Sequence, residues 1–333
     1  MRKHIFSFAA LLCLMVGTIG CQKDLDPSAE TEAVAANTIA GIITNGYTNP
    51  HGNAAARNGS GTKVQFNFLK YALTQTKLMS VLAQDGDYTL FAPSDEAFRE
   101  AGFNSYEDIR KAPVELLKAI LTYHVLDAEV TASQVPAGPN AAITMLSGQK
   151  AYVTSNTSGV FINGVSVVSA DIMALNGVIH VIDRILMPPV GNIVETAVAN
   201  PNFSYLVAAV LRASQGSVNV AGVLSSAGPF TVFAPTNAAF IAAGFPTTAS
   251  IMAADPATLT AILTYHVIGA RVFSSDLVDG AMPTMLSGGT TTIDLDAGAR
   301  IKGTSNTTYS NITQTDIVAT NGVIHVIDQV LLP

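Results

Sequence analysis

Asn176-Gly177-Val178-Ile179-His180-Val181-Ile182-Asp183 returns letter for letter as Asn321-Gly322-Val323-Ile324-His325-Val326-Ile327-Asp328. An octet repeated across so long a separation restricts the chain to an architecture built twice. Its residues also carry a local physical meaning. Asn-Gly is the dipeptide best suited to two successive positive φ angles, so it predicts a tight hairpin turn at the start of the octet. The residues after it show no helical period. As a strand they place Val178, His180 and Ile182 on one face and Ile179, Val181 and Asp183 on the other. Both faces are largely apolar, which predicts a buried central strand ending at a carboxylate.

Other matched blocks precede each octet in the same order. Phe66, Leu69 and Leu73 have amphipathic-helix spacing, as do Phe203, Leu206 and Val210. Thr89-Leu90-Phe91-Ala92-Pro93-Ser94 and Thr231-Val232-Phe233-Ala234-Pro235-Thr236 each read as a short strand stopped by proline. Ser94 and Thr236 are then natural N-caps for the helices that follow. Leu117, Ile120, Leu121 and His124 fall on one helix face, and so do Leu259, Ile262, Leu263 and His266, which sets each histidine at the inner C-terminal end of a helix. Thr144 to Gly148 matches Thr284 to Gly288, and alternating β-branched segments follow in both halves. Helices first and a β-meander last is an α+β order.

Hydrophobic residues make up 49% of the 333 and charged residues only 12%, with a formal net charge of -7, a balance that favours packed cores over disorder. An acidic, lysine-poor chain lacks the clustered cations that nucleic acid requires. Residues 213–254 carry no charge, yet Pro229, Pro235 and Pro246 with many Ser, Asn and Gly argue against a membrane span there.

Arg2, Lys3 and the short apolar run from Ile5 to Val16 read as a signal peptide. Thr18-Ile19-Gly20-Cys21 is similar to a bacterial lipobox, with Thr18 where leucine is usual, and implies lipidation at Cys21. Cys13 lies in the segment that would be removed, so no intrachain disulfide can form. The acidic stretch after Cys21 is similar to the export signal that places lipoproteins on the outer face of the outer membrane in Bacteroidetes. The expected organisation is a lipoprotein signal peptide at 1–20, a flexible tether at 21–37, a first domain at 38–190 with a loop insertion at 45–62, and a second domain at 191–333.

The three ordered motifs, Thr-x-Phe-Ala-Pro-(Ser/Thr)-(Asp/Asn)-x-Ala-Phe, Tyr-His and Asn-Gly-Val-Ile-His-Val-Ile-Asp, closely resemble the fasciclin domain in both halves. The resemblance implies two tandem fasciclin-like domains, each a seven-stranded β-wedge with packed helices. It implies a surface-anchored protein serving adhesion, contacting extracellular matrix, other cells or surface partners. By the same resemblance the candidate partner-binding residues are Tyr123, His124, Asp171 and Ile172, and Tyr265, His266, Asp316 and Ile317. Ser169 and Ala170 depart from the longer motif through which metazoan members engage integrins.

No paired-Cys or H-x-x-x-H spacing supports a metal, no Gly-rich loop a nucleotide, and no G-x-S-x-G elbow a hydrolase. Hence no catalytic residue, cofactor or metal is expected. His180, Asp183, His325 and Asp328 are read as a structural polar core. The alternative function is a glycan-associated accessory of a polysaccharide-uptake system, which the absence of Trp supports poorly. The partners expected are a membrane, reached through the N-terminal lipid only, and a protein or glycan surface ligand.

Overall fold

The two octets form the strands Gly177–Ile182 (β9) and Gly322–Ile327 (β15), buried at every position. In the computed structural model the described residues are 36–48 and 63–333. Cys21, the signal peptide and most of the 45–62 insertion therefore lie outside the described residues.

The first half supplies α1 (Ile39–Asn45), β1 (Tyr47–Thr48), β2 (Lys63–Val64), α2 (Asn67–Gln75), β3 (Tyr88–Pro93), α3 (Asp95–Glu100), α4 (Tyr106–Lys111) and α5 (Val114–Thr122). It continues with β4 (Val125–Leu126), β5 (Gly138–Thr144), β6 (Lys150–Asn156), β7 (Gly159–Ile162), β8 (Val165–Ala174) and β9. The second half repeats the order: α6 (Ile193–Ala199), α7 (Ser204–Ala213), α8 (Val220–Ser225), β10 (Phe230–Pro235), α9 (Asn237–Ala242), α10 (Thr248–Ala253) and α11 (Pro256–Thr264). Then come β11 (Val267–Ile268), β12 (Thr291–Asp294), β13 (Arg300–Gly303), β14 (Ser310–Ala319) and β15.

The first sheet runs β4-β3-β9-β8-β7-β6-β5, seven strands as expected. The second runs β11-β10-β15-β14-β13-β12 and has six. The missing strand corresponds to β5: Pro283 stands where Ile143 pairs with Ala151, and the segment keeps the isolated bridge Thr284↔Thr290 and a few backbone hydrogen bonds to Thr291 and Ile293. A proline at that position has no N–H to donate to the ladder. In each sheet the octet strand pairs in parallel with the Thr-x-Phe strand, β9 with β3 and β15 with β10, and antiparallel with its other neighbour.

This central strand divides each half into two cores. Ile179 and Val181 join the helices, packing with Phe66, Leu69, Leu73 and Leu121. Ile182, on the opposite face, joins Phe91, Tyr123, Val153 and Ile162 inside the wedge. Ile324 with Val326, and Ile327, divide in the same way. Period-two alternation with both faces apolar is thus realised as a strand shared by two cores.

The octet's turn differs from expectation. The two-residue turns are Leu175-Asn176 and Thr320-Asn321, closed by the pairs Ala174↔Gly177 and Ala319↔Gly322. Neither asparagine has positive φ. Asn176 is needed elsewhere: its Oδ1 accepts from Ile39 N at the start of α1, and its Nδ2 donates to the Leu82 and Gln84 carbonyls. Asn321 repeats this with Ile193, Leu224 and Ser226. The glycine serves close approach. A Cβ at Gly177 would meet Tyr88 O at 1.9 Å and one at Gly322 would meet Phe230 O at 2.2 Å, so only glycine fits beside the parallel strand.

Part of the 45–62 segment, expected to be loop throughout, is ordered pairing: Tyr47 and Thr48 of β1 face Val64 and Lys63 of β2.

Candidate functional site

Ser94 Oγ accepts from Ala97 N and Thr236 Oγ1 from Ala239 N, both at 3.2 Å, so both residues cap as their positions predict. The residue after each cap holds a second helix. Asp95 accepts from Phe68 N at the start of α2, and Asn237 accepts from Tyr205 N at the start of α7. An amide replaces a carboxylate with the role kept, because either oxygen accepts a hydrogen bond.

The Tyr-His pairs are inside the protein. Tyr123, His124 and Tyr265 are 0% exposed and His266 is 1% exposed, so in this fold no partner can touch them. The resemblance that offered them as contacts carries the sequence block faithfully but not its depth, since each pair ends an inward-facing helix. Tyr123 donates to Lys150 O and accepts from Asn163 Nδ2, and burial pushes its hydroxyl up to about 12. Tyr265 donates to Thr290 O and accepts from Thr304 N.

His124 Nε2 accepts from Leu186 N at 2.9 Å, which fixes the proton on Nδ1, donated to Ile120 O at 2.8 Å. His266 does the same between Ile262 O and Leu331 N. Burial lowers both to about 4, and the helix carbonyl opposes this only in part. Each is a neutral staple between a helix end and the segment after the octet.

The octet histidines use the other tautomer. His180 Nδ1 accepts from Asp171 N and its Nε2 donates to Val130 O; His325 does so with Asp316 N and Val272 O. Burial lowers both from the ordinary histidine value. The 4.0 Å approach of His180 Nδ1 to the Asp171 carboxylate is accordingly not an ion pair. Asp183 and Asp328 are only half-buried at the strand ends; Asp328 accepts from Ser310 and Asn311, while Asp183 Oδ1 lacks a hydrogen-bond partner. Among the described residues no group of three or more His, Cys, Asp and Glu could hold a metal.

That leaves Asp171-Ile172 and Asp316-Ile317. Both lie where β8 and β14 shift register against the octet strand. Asp171 has φ 58 and Asp316 φ 63, a left-handed conformation that Asp tolerates better than most residues. Each carboxylate caps the loop opposite, Asp171 accepting from Ala132 N and Asp316 from Ser274 N and Oγ. Ile172 is 2% exposed and packs with the helices.

The two bulges have different surroundings. The Asp171 side chain is 41% exposed, with Val168, Met173 and Leu175 uncovered along the same hairpin. Beside it a cavity of about 190 Å³ opens between Ala132, Val135, Ala170 and His180. Asp316 is 3% exposed because the first domain covers it. Arg184 Nη2 stands 3.6 Å from its carboxylate and also donates to Gly164 O, and a Cβ on Gly164 would meet Asp316 Cγ at 2.6 Å.

A second set of contacts completes this interface. The Arg271 guanidinium lies 3.9 Å over the Tyr152 ring and donates to Gly322 O. Asp276 accepts from Thr154 Oγ1 and Asn140 Nδ2, and Asn156 donates to Ser275 O. Nothing in the sequence motifs signals these contacts, since they join residues of one repeat to dissimilar residues of the other.

The Fasciclin domain profile matches residues 64–188 and 201–333, one match on each sheet and its helices. The chain belongs to the fasciclin domain family. It is 30% identical over 260 residues to transforming growth factor-beta-induced protein ig-h3 of Oryctolagus cuniculus, covering 77% of this chain and 36% of that protein. It is 31% identical over 265 residues to periostin of Homo sapiens, covering 78% of this chain and 30% of that one. This chain thus spans about a third of the length of these curated relatives. A solved domain pair from the insect cell adhesion molecule Fasciclin I matches over 80% of this chain and 96% of the other, at 20% identity and a TM-score of 0.39. No helix among the described residues is long and apolar enough to cross a membrane.

Proposed function

We propose that this tandem fasciclin protein is a non-catalytic, lipid-anchored surface adhesion module that meets its partner through the exposed β8–β9 hairpin of the first domain. The observation that carries this reading is the contrast between Asp171, 41% exposed, and Asp316, 3% exposed. Of two equivalent bulges one faces the other domain and the second stays exposed. Met173 and Leu175, 55% and 63% exposed, add apolar surface beside the exposed carboxylate, the mixture from which interface centres are made. Membership of the fasciclin domain family supports a binding role. Attachment through Cys21 to the outer face of an outer membrane is part of the proposal and rests on the lipobox-like sequence alone.

Attachment of the producing cells, or of purified protein on beads, to partner cells and matrix tests the site. Met173→Lys with Leu175→Lys should abolish attachment while leaving the melting temperature within a degree or two, since both side chains lie in water. Met282→Lys in the second domain, at a position 63% exposed, is the control that should leave attachment intact. Unchanged attachment in the double variant would remove the hairpin from the mechanism. Cys21→Ser should release the protein into the medium, and continued membrane fractionation would remove the lipid anchor.

A further inference from the structure

Between α6, α7, α8 and the sheet of the second domain lies a cavity of about 270 Å³ whose wall presents no polar surface. Leu224, Val232 and Ile324 lie deep in it and are almost fully buried, while Val198 and Leu211 stand at its edge, 62% and 55% exposed.

The first domain has filled the same place. Asn176 and Asn321 fix the equivalence, since they accept from Ile39 N and Ile193 N and donate to the Leu82 and Leu224 carbonyls. On that register, with Phe66 matched to Phe203 in the intervening helix, Ala197, Val210, Ala221 and Val232 replace Ile43, Leu73, Met79 and Leu90. Ile43, Leu73 and Leu90 are 2%, 0% and 1% exposed, so these are packed core side chains whose counterparts are shorter. Val194 in place of Ala40 returns only part of the lost volume. Tyr47 and Val64 also pack on the first core, and the short link between α6 and α7 supplies nothing like them. The edge changes as well: Thr44, Lys70 and Thr74 become Val198, Val207 and Leu211. Hollowing of the core and loss of polarity at the mouth therefore coincide.

An empty apolar cavity sacrifices dispersion contacts that an apolar guest restores. An engineered cavity of roughly 150 Å³ suffices for benzene. Here the lining is aliphatic apart from the His266 imidazole, with no Phe, Tyr or guanidinium to stack on a planar ligand. Nor can His266 read a polar group, because both its nitrogens are committed to Ile262 O and Leu331 N. Near the mouth, Glu195 is occupied by Asn192 N and Arg212 by Ala254 O.

We propose that the second domain binds the hydrocarbon chain of a free single-chain amphiphile, tail in this cavity and head group in water between α6 and α7. Selection is by chain length and not by head group, because the wall offers shape alone.

Displacement of a fluorescent polarity probe from the intact protein by 1-alkanols and fatty acids of increasing length is the direct test. Affinity should rise about three- to fourfold per methylene until the cavity fills. Decanol and decanoate should then differ by less than tenfold. Ala197→Ile with Val210→Leu, the first domain's own residues, should lower decanol affinity at least tenfold while retaining the native circular dichroism. If that pair does not fold, Ala221→Met alone carries the same expectation, and the chain-length series stands without either. Decanol binding that is absent in the wild type, or unchanged in a folded filled variant, overturns the proposal. Capture by phosphatidylcholine vesicles that the filled variants lose, without decanol binding, would overturn it in favour of a membrane surface. Loss of self-association in the filled variants, again without decanol binding, would overturn it in favour of a second copy.

Discussion

The loops that the two bulges cap show how one backbone is turned to different ends. In the first domain the loop reads Glu129-Val130-Thr131-Ala132-Ser133-Gln134, in the second Arg271-Val272-Phe273-Ser274-Ser275-Asp276. Val130 and Val272 both accept from the octet histidine, so the backbones are alike. The side chains are not. Arg271 and Asp276 reach into the first domain, and Glu129 and Gln134 have no second domain to reach. A fold that leaves one face of each copy open can join its copies through one face while the equivalent face of the other copy stays exposed.

The most severe loss is expected at the shared strand. Gly177→Ala and Gly322→Ala force a Cβ to within 1.9 and 2.2 Å of a neighbouring carbonyl oxygen, so each should unfold its own domain. The expected loss is about 4 kcal/mol or more, in the range of severe core disruption. Denaturant melts should show one native and one lost transition, and two intact transitions would contradict the packing described.

Next in size is acid. His124 and His266 are held to about 4 in the folded protein against an ordinary 6.5, so protons bind the unfolded chain first. Their contribution is complete above pH 6.5 and is lost as pH falls toward 4, worth about 3 kcal/mol for each histidine. Both domains should therefore weaken together between those pH values. His124→Gln should flatten the profile of the first domain only, as measured by urea midpoints across pH.

Arg271→Ala comes third. It removes a partly desolvated cation from the Tyr152 ring and a hydrogen bond from Gly322 O, about 2 kcal/mol together. Calorimetry should show the domains melting less cooperatively, whereas Glu129→Ala should change stability by about 0.5 kcal/mol or less. The smallest effects are the caps: Ser94→Ala and Thr236→Ala should each cost about 1 kcal/mol, equally in the two copies. A marked inequality would show that the copies tolerate fraying differently.

The repeat, the α+β order, the caps and the alternation of the octet were legible because each depends on residues near one another in the chain. His124 and His266 at the inner ends of helices follow from spacing for the same reason. The turn lies one residue earlier than the Asn-Gly dipeptide predicts. Asn-Gly obeys a local rule for positive φ, yet here the asparagine answers to the start of a helix far upstream and the glycine to the carbonyl of a parallel neighbour. The six-strand second sheet was hidden for a related reason, since Pro283 matters only once the partner strand is known.

What the sequence determined alone is the duplicated fasciclin fold and the character of its buried faces, because propensity, period and capping act within a few residues. What the tertiary structure decided is which copy of an equivalent feature is free. Asp171 and Asp316 are the same residue in nearly the same local setting, and likewise Ile43 and Ala197 occupy the same helix position. Only the other domain's approach covers Asp316, and only the sum of several shortened side chains, distant in sequence, makes a cavity. Burial is a property of what arrives from elsewhere, and no local pattern contains it.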